Sequence, residues 1–255
     1  SMDSRKFKRW AIYAVLAVAN ILILVTAFRG NLAVKSPAQA KSVPAGSTKI
    51  YLPIVYRAPD PLSILSNFTS YQEREADTQF LHIVGEVKNQ DGSGITDINI
   101  EAHLFDRKGN EVGFTVGHPA LPDVPAGAKT CFHLVSELPD GYDSYELKLA
   151  GFKIQPDLPQ MVDTYITNSR FDKDFGWYAV NGVATYQAGK ISGDASVSAT
   201  FYDRKGRVIG CEQAFAAFPD SEIAEPGIFA FYLMSPNASK VETVSTLAVT
   251  VPSAP

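Results

Sequence analysis

Apolar and polar residues alternate along the stretch that follows Asp97. The apolar positions are Ile98, Ile100, Ala102 and Leu104, and the polar positions between them are Asn99, Glu101 and His103. A period of two residues is typical of a β-strand, because successive side chains lie on opposite faces of a sheet. The pattern therefore predicts a half-buried antiparallel strand with its apolar face towards a core.

The same pattern returns 97 positions later. Its apolar members are Val197, Ala199 and Phe201, which we expect to be buried, and its polar members are Ser196, Ser198 and Thr200, which we expect to face outward. Both strands are followed by Asp-Arg-Lys-Gly, at residues 106–109 and 203–206. Asp can accept hydrogen bonds from the turn backbone and Gly can adopt the left-handed conformation, so both sequences predict hairpin turns.

Most of the chain after residue 62 is predicted to form short strands. The return strands of the two hairpins are expected at residues 111–117 and 207–216. Further strands are predicted at residues 64–71, 80–89, 129–138, 145–150, 161–169, 178–187, 227–234 and 244–251. Short strands separated by turn signals, with no 3.6-residue period, are typical of small antiparallel β-sandwiches.

The two halves of this region are copies of each other. The offset of 97 residues holds without a gap from Gly85 and Gly182 to Gly113 and Gly210. A repeat of this length is a packed unit, and duplication usually multiplies surface rather than active sites. We therefore expect two β-sandwich modules, at residues 63–155 and 160–252, each with its own core. A cut near residues 155–159 is expected to leave two units that melt independently.

Residues 11–28 form one apolar run without a charge, preceded by a basic N-terminus at residues 1–10. Eighteen residues of helix span about 27 Å, which is enough to cross the hydrocarbon core of a membrane. The residues that set its topology are Arg5, Lys6, Lys8 and Arg9, with Trp10 at the interface. The positive-inside rule places this end in the cytoplasm and the body outside. A cleaved signal peptide is the alternative, and the length of the run favours the anchor.

Residues 29–62 are rich in proline and are expected to form an extended linker. An apolar, β-prone segment interrupts it. Its candidate partner-binding residues are Tyr51, Leu52, Ile54, Val55 and Tyr56. Such a segment can pack on the first module, lie on the bilayer surface or add a strand to another protein's sheet, and packing on its own module is the favoured option.

Charge and cysteine content restrict the possible partners. Residues 30–255 carry 18 basic and 26 acidic residues, a net charge of −8. This balance argues against binding to nucleic acid or to an anionic membrane surface. Cys131 and Cys211 do not correspond between the two copies. We expect two separate, largely apolar strand thiols, and a disulfide between the modules is the alternative.

Three motifs distinguish the first copy: the series from Gly85 to Asn89, the Ile-x-Ile-x-Ala-x-Leu-Phe-Asp strand that begins at Ile98, and the Pro-Ala-Gly loop at residues 125–127. Together they resemble the FxLYD domain family. Both copies are similar to it, although each has Ala in place of the first Phe of the name motif. The resemblance implies exported prokaryotic modules with an Ig-like β-sandwich fold and no catalytic residues.

The chain offers few candidates for chemistry. Its four histidines are His82, His103, His118 and His133, and without ligand-like spacing we expect them to be solvated. We therefore expect no catalytic residues, no metal site and no cofactor. The candidate ligand-binding residues are Arg170, Phe175, Trp177 and Tyr178, the densest aromatic cluster, although core packing is the more common role of such aromatics.

Taken together, these features predict a non-catalytic, membrane-anchored extracytoplasmic protein with an interaction or structural role. We expect it to be an accessory or scaffold subunit of a cell-envelope or membrane complex, with other envelope proteins as partners. The alternative is an ectodomain that binds or senses a glycan or a peptide through the Trp177 cluster.

Overall fold

The computed structural model describes residues 60–155, 160–185, 194–218 and 226–250, and these residues form an all-β fold. The strands are β1 (Leu62–Ile64), β2 (Thr69–Glu75), β3 (Thr78–Asn89), β4 (Gly94–Asp106), β5 (Glu111–Gly117), β6 (Lys129–Glu137), β7 (Tyr142–Gln155), β8 (Asp163–Asp172), β9 (Trp177–Thr185), β10 (Asp194–Tyr202), β11 (Val208–Ala217), β12 (Gly227–Leu233) and β13 (Thr243–Thr250). A short 3₁₀ turn, Ala238–Lys240, precedes β13. The predicted all-β class is confirmed.

The segment predictions made for residues 1–59 lie outside the described residues. They comprise the basic N-terminus, the apolar run at 11–28 and the candidate partner-binding residues from Tyr51 to Tyr56. Within the described ranges, no helix has the length and apolar character required to span a membrane.

The strands form antiparallel sheets in an order that occurs twice. In the first half, β3 lies between β6 on one side and β1 and β2 on the other, and a second sheet has the order β5-β4-β7. In the second half, the order β8-β9-β12 repeats the first arrangement and β11-β10-β13 repeats the second, and the pair Ala217 and Ile228 joins them into one six-stranded sheet. The pairing is therefore sandwich-like in both halves.

Both predicted Asp-Arg-Lys-Gly turns are confirmed. Asp106 Oδ1 accepts backbone hydrogen bonds from Lys108 and Asn110, and Gly109 has a φ of 81°. In the second copy, Asp203 Oδ1 accepts the equivalent bonds from Lys205 and Arg207. The carboxylate replaces the ladder bonds that the turn backbone cannot make, which explains the recurrence of Asp at this position.

The two halves contact each other through sheet faces. On β3, Leu81 and Ile83 face the core of the first half, while the alternate residues His82, Val84 and Glu86 are also buried. They face β11, which contacts β3, β6 and β2. The outer face of β3 and β6 therefore packs on the outer face of β10 and β11.

This contact corrects one expectation. Ser196, Ser198 and Thr200 were expected to face solvent, but they are 7%, 1% and 4% exposed. They do lie on the face opposite Val197 and Ala199, and that face is covered by the first half. Thr130 of β6, for example, donates a hydrogen bond to Ser198 Oγ across the contact. Alternation reports which residues share a face, but it cannot show that a second sheet covers that face.

Candidate functional site

The contact between the halves is centred on a buried carboxylate. Glu86 is 1% exposed and lies 2.7 Å from Lys129 Nζ. The Tyr202 hydroxyl donates a 2.6 Å hydrogen bond to Glu86 Oε1, and Asn67 Nδ2 donates to Glu86 Oε2. Burial and the adjacent Glu86 raise the pKa of Tyr202 well above its usual range. Because the buried charge is paired and hydrogen-bonded, this cluster is a structural junction rather than a vacant site.

A disulfide joins the halves beside this cluster. Cys131 of β6 and Cys211 of β11 are bonded, with their Cα atoms 5.6 Å apart. The expectation of two separate thiols was therefore wrong, and the disulfide that stood as the alternative is present. Its cause is the packing of two sheet faces, which brings together residues 80 positions apart in the sequence.

A cavity of about 170 Å³ is lined in part by Cys211 of the disulfide. Its titratable lining residues are Tyr71, Glu73, Glu75, His82, His133 and Glu212. His82 Nδ1 and His133 Nε2 are 2.9 Å apart, and the His82 ring stacks on Tyr71 with a centroid separation of 4.7 Å. His82 Nε2 is buried without a hydrogen-bond partner among the described residues. The histidines and the carboxyls thus share one acidic pocket.

Burial perturbs several groups in this pocket. It raises the pKa of Glu212 to about 8, so that this carboxyl holds its proton at neutral pH. Burial, together with Glu73 and Glu212, raises the pKa of Tyr71 to about 12. Burial and the adjacent His82 lower the pKa of His133 to about 4, which favours the neutral imidazole. Burial thus favours the neutral forms of Glu212, Tyr71 and His133 at pH 7.

The histidines are distributed differently from the expectation. His82 is buried, whereas it was expected to be solvated; its ring lies 2.9 Å from that of His133, which is exposed as expected. His103 lies 3.2 Å from both Glu101 and Glu111 on the outer face of β4. His118 is within hydrogen-bond distance of the Ile98 carbonyl. Among the described residues, no three His, Cys, Asp or Glu side chains are arranged to hold a metal ion.

The aromatic cluster singled out in the sequence is divided between two faces of a sheet. Phe175 and Trp177 stack with a centroid separation of 4.6 Å, and Tyr232 lies 5.4 Å from Trp177. Arg170 pairs with Ala179 on the same outer face. Tyr178 instead points towards the core and meets Phe201 edge to face. Sequence proximity thus missed Tyr232, which comes from β12 and had no signal linking it to the cluster.

The cluster belongs to a larger apolar surface, the outer face of β8, β9 and β12. Large apolar side chains on and beside it are more than half exposed: Tyr165 is 59% exposed, Phe175 58%, Ile228 68% and Met234 52%. Val183 lies between Tyr165 and Ile228 in the ladder. Exposed apolar surface of this kind is typical of an interaction site.

The comparisons with known proteins leave the family open. No family model, no curated protein and no solved structure matches the chain. The function is therefore inferred from the residues and their geometry.

Proposed function

We propose that this protein is a non-catalytic interaction or structural protein, anchored by a helix at residues 11–28 with its body outside the cytoplasm. Its body consists of two tandem Ig-like β-sandwiches of the FxLYD type. It serves as an accessory or scaffold subunit of a cell-envelope or membrane complex. The outer face of β8, β9 and β12 carries this proposal, because the large apolar side chains Tyr165, Phe175 and Ile228 on and beside it are each more than half exposed.

The disulfide supports the proposed location of the body outside the cytoplasm. Disulfides persist in oxidising environments and are rare in the cytoplasm, where thiols are kept reduced. Cys131 and Cys211 are 0% and 7% exposed, which is typical of a structural bond rather than a catalytic one. The proposed orientation of the anchor puts both cysteines on the oxidising side.

Cross-linking in native membranes tests the proposal. The full-length protein is cross-linked mildly and purified, and its neighbours are identified by mass spectrometry. We expect a stoichiometric set of envelope proteins that is lost with Tyr165→Asp. Ile154→Asp is the matched control, because Ile154 is 54% exposed on β7 in the other half. Recovery of the same proteins with both variants, or of none with the wild type, would contradict the proposal.

A second function is favoured by the Phe175, Trp177 and Tyr232 cluster with Arg170 nearby. Aromatic faces and a guanidinium group are suited to stacking on a glycan or a peptide. Cell-wall glycan fragments should then change the Trp177 fluorescence of the wild type and leave Trp177→Phe without response. Phe114→Ala is the control, because Phe114 is an exposed aromatic on β5. An unchanged spectrum with glycans and peptides would leave only the interaction role.

A further inference from the structure

The contact between the halves joins two different kinds of sheet face. One surface is the outer face of β3 and β6, and the other is the outer face of β10 and β11. The repeat means that each half possesses both kinds of face. The second half therefore retains its own version of the first surface, on β9 and β12, and the first half retains its own version of the second, on β4 and β5.

The strand registers establish this equivalence residue by residue. Gly85 pairs with Phe132 between β3 and β6, and Gly182 pairs with Phe229 between β9 and β12. His103 pairs with Phe114 between β4 and β5, just as Thr200 pairs with Cys211 between β10 and β11. In all four cases the offset is the same 97 residues found in the sequence. Positions of β3, β6, β10 and β11 at the internal contact thus each have one defined counterpart on an open face.

The open faces are apolar where the internal contact is bonded. The counterparts of Cys131 and Cys211 are Ile228 and Phe114, which are 68% and 49% exposed. Each open face therefore has a large apolar residue at the position where the internal contact has a disulfide-bonded cysteine.

The buried polar cluster has been replaced in the same concerted way. The counterpart of Glu86 is Val183, and the counterpart of Tyr202 is Phe105. A carboxylate and its hydroxyl donor have become two apolar side chains, so neither open face carries an unpaired charge at this position. Both open faces are therefore apolar at the positions that hold the disulfide and the Glu86–Tyr202 hydrogen bond in the internal contact.

We propose that the β9–β12 face of one copy of this chain packs on the β4–β5 face of a second copy, repeating the internal contact between molecules. Ile228 of one copy then lies against Phe114 of the next, and Val183 lies against Phe105. Because the two faces differ, the contact is heterologous, and it generates head-to-tail chains or closed rings. This inference rests on the proposed interaction role of the β8, β9 and β12 surface and names its partner as the protein itself.

The membrane anchor that we propose would assist such assembly. Tethering copies in one membrane raises their effective concentration, so a contact that is weak in solution becomes populated. The open contact has no disulfide, which makes it the reversible counterpart of the permanently bonded internal one. Assembly therefore depends on the surface density of the protein.

Cysteine cross-linking tests the contact directly. Full-length Phe114→Cys and Ile228→Cys proteins in detergent micelles are mixed and treated with a short bismaleimide, to which the native disulfide does not react. We expect a dimer that contains one copy of each variant, at a yield at least tenfold above either variant alone. The double variant should give a ladder of oligomers, because each chain then carries both ends of the contact.

Control variants distinguish this contact from non-specific association. Ile154→Cys replaces Phe114→Cys, since Ile154 is 54% exposed but lies on β7, at the opposite edge of the β5-β4-β7 sheet. It should give at most one tenth of the cross-linked dimer with Ile228→Cys. Added Ile228→Asp protein keeps its β4–β5 face and should shorten the ladder by capping its growing end.

Three results would overturn the inference. They are equal cross-linking in the Ile154 control, equal dimer from Phe114→Cys alone, and no dimer from the mixed Phe114→Cys and Ile228→Cys proteins. Failure here is distinguishable from failure of the proposed function. A protein that does not self-associate can still recover other envelope proteins in the native-membrane experiment.

Discussion

At the scale of the residue, the contact between the halves contains two carboxyl groups in different states: Glu86 is paired with a cation, and Glu212 favours its neutral form. Glu86 has a cation, a hydroxyl and an amide as partners. Glu212 lies partly buried in the acidic pocket, where burial raises its pKa. A paired carboxylate holds the halves together, whereas a carboxyl with a raised pKa makes their stability depend on pH.

Glu86→Ala should destabilise the protein by about 3–5 kcal/mol, because it leaves Lys129 and Tyr202 without their buried partner. Tyr202→Phe removes one hydrogen bond and should cost only about 1–2 kcal/mol. Urea denaturation measures both free energies of unfolding. A change below about 0.5 kcal/mol for Glu86→Ala would show that the cluster does not stabilise the contact.

The raised pKa of Glu212 predicts that the free energy of unfolding falls as the pH rises. Its pKa is about 8 in the folded protein and 4.5 as the reference value, so the folded state binds more protons between these two values. The free energy of unfolding therefore decreases from about pH 4.5 to about pH 8. The groups that face Glu212 in the pocket are Tyr71, Glu73, Glu75, His82 and His133.

Glu212→Gln should remove this decrease, which we expect to amount to about 1–3 kcal/mol after screening by solvent. Urea denaturation at roughly pH 6.5 and pH 8 isolates it, because the lowered pKa of His133 affects stability only as the pH falls from 6.5 to about 4. Glu146→Gln, at an exposed glutamate on β7, is the control. An identical slope in Glu212→Gln and the wild type would refute the assignment.

At the scale of the element, the repeat is maintained by a glycine opposite a phenylalanine. Gly85 faces Phe132, and Gly182 faces Phe229, at the centre of two equivalent strand pairs. A Cβ at Gly182 would overlap the Phe229 ring and approach the Tyr165 carbonyl oxygen to 2.6 Å. The ring covers the glycine, so the two residues act as one packing unit.

Gly182→Ala should therefore destabilise the protein by about 1–3 kcal/mol through overpacking. Adding Phe229→Leu should recover part of the loss, because the smaller side chain makes room for the methyl group. Gly92→Ala is the matched control, since a Cβ there meets nothing within 4 Å. Chemical denaturation of the wild type, Gly182→Ala, Phe229→Leu and the double variant completes a double-mutant cycle. Strictly additive changes in the free energy of unfolding would argue against direct contact.

At the scale of the whole molecule, the disulfide couples the two halves. It closes a loop of 80 residues, so replacing both cysteines by serine should cost about 4 kcal/mol through the entropy of the unfolded chain. We expect one calorimetric transition for the oxidised protein and a lower, broader one for the Cys131→Ser and Cys211→Ser double variant. A wild type that melts in two separate steps would show that the contact does not couple the halves.

The local structure of this protein follows largely from its sequence alone. Alternation at Ile98 and Ile100 gave the strand, Asp106 and Gly109 gave the turn, and the 97-residue offset gave the duplication. These features depend on neighbours a few residues apart, or on comparison of the chain with itself. Strand limits were less well predicted: residues 64–71 divide between β1 and β2, and β7 begins at Tyr142 rather than Tyr145.

Which sheet faces are covered depends on the packing of the two halves. The tertiary structure buried Ser198, paired His82 with His133, bonded Cys131 to Cys211 and brought Tyr232 to Trp177. The physical reason is that a period of two sorts residues into faces without specifying what lies against each face. That choice depends on how two distant sheets pack, which strand periodicity does not record.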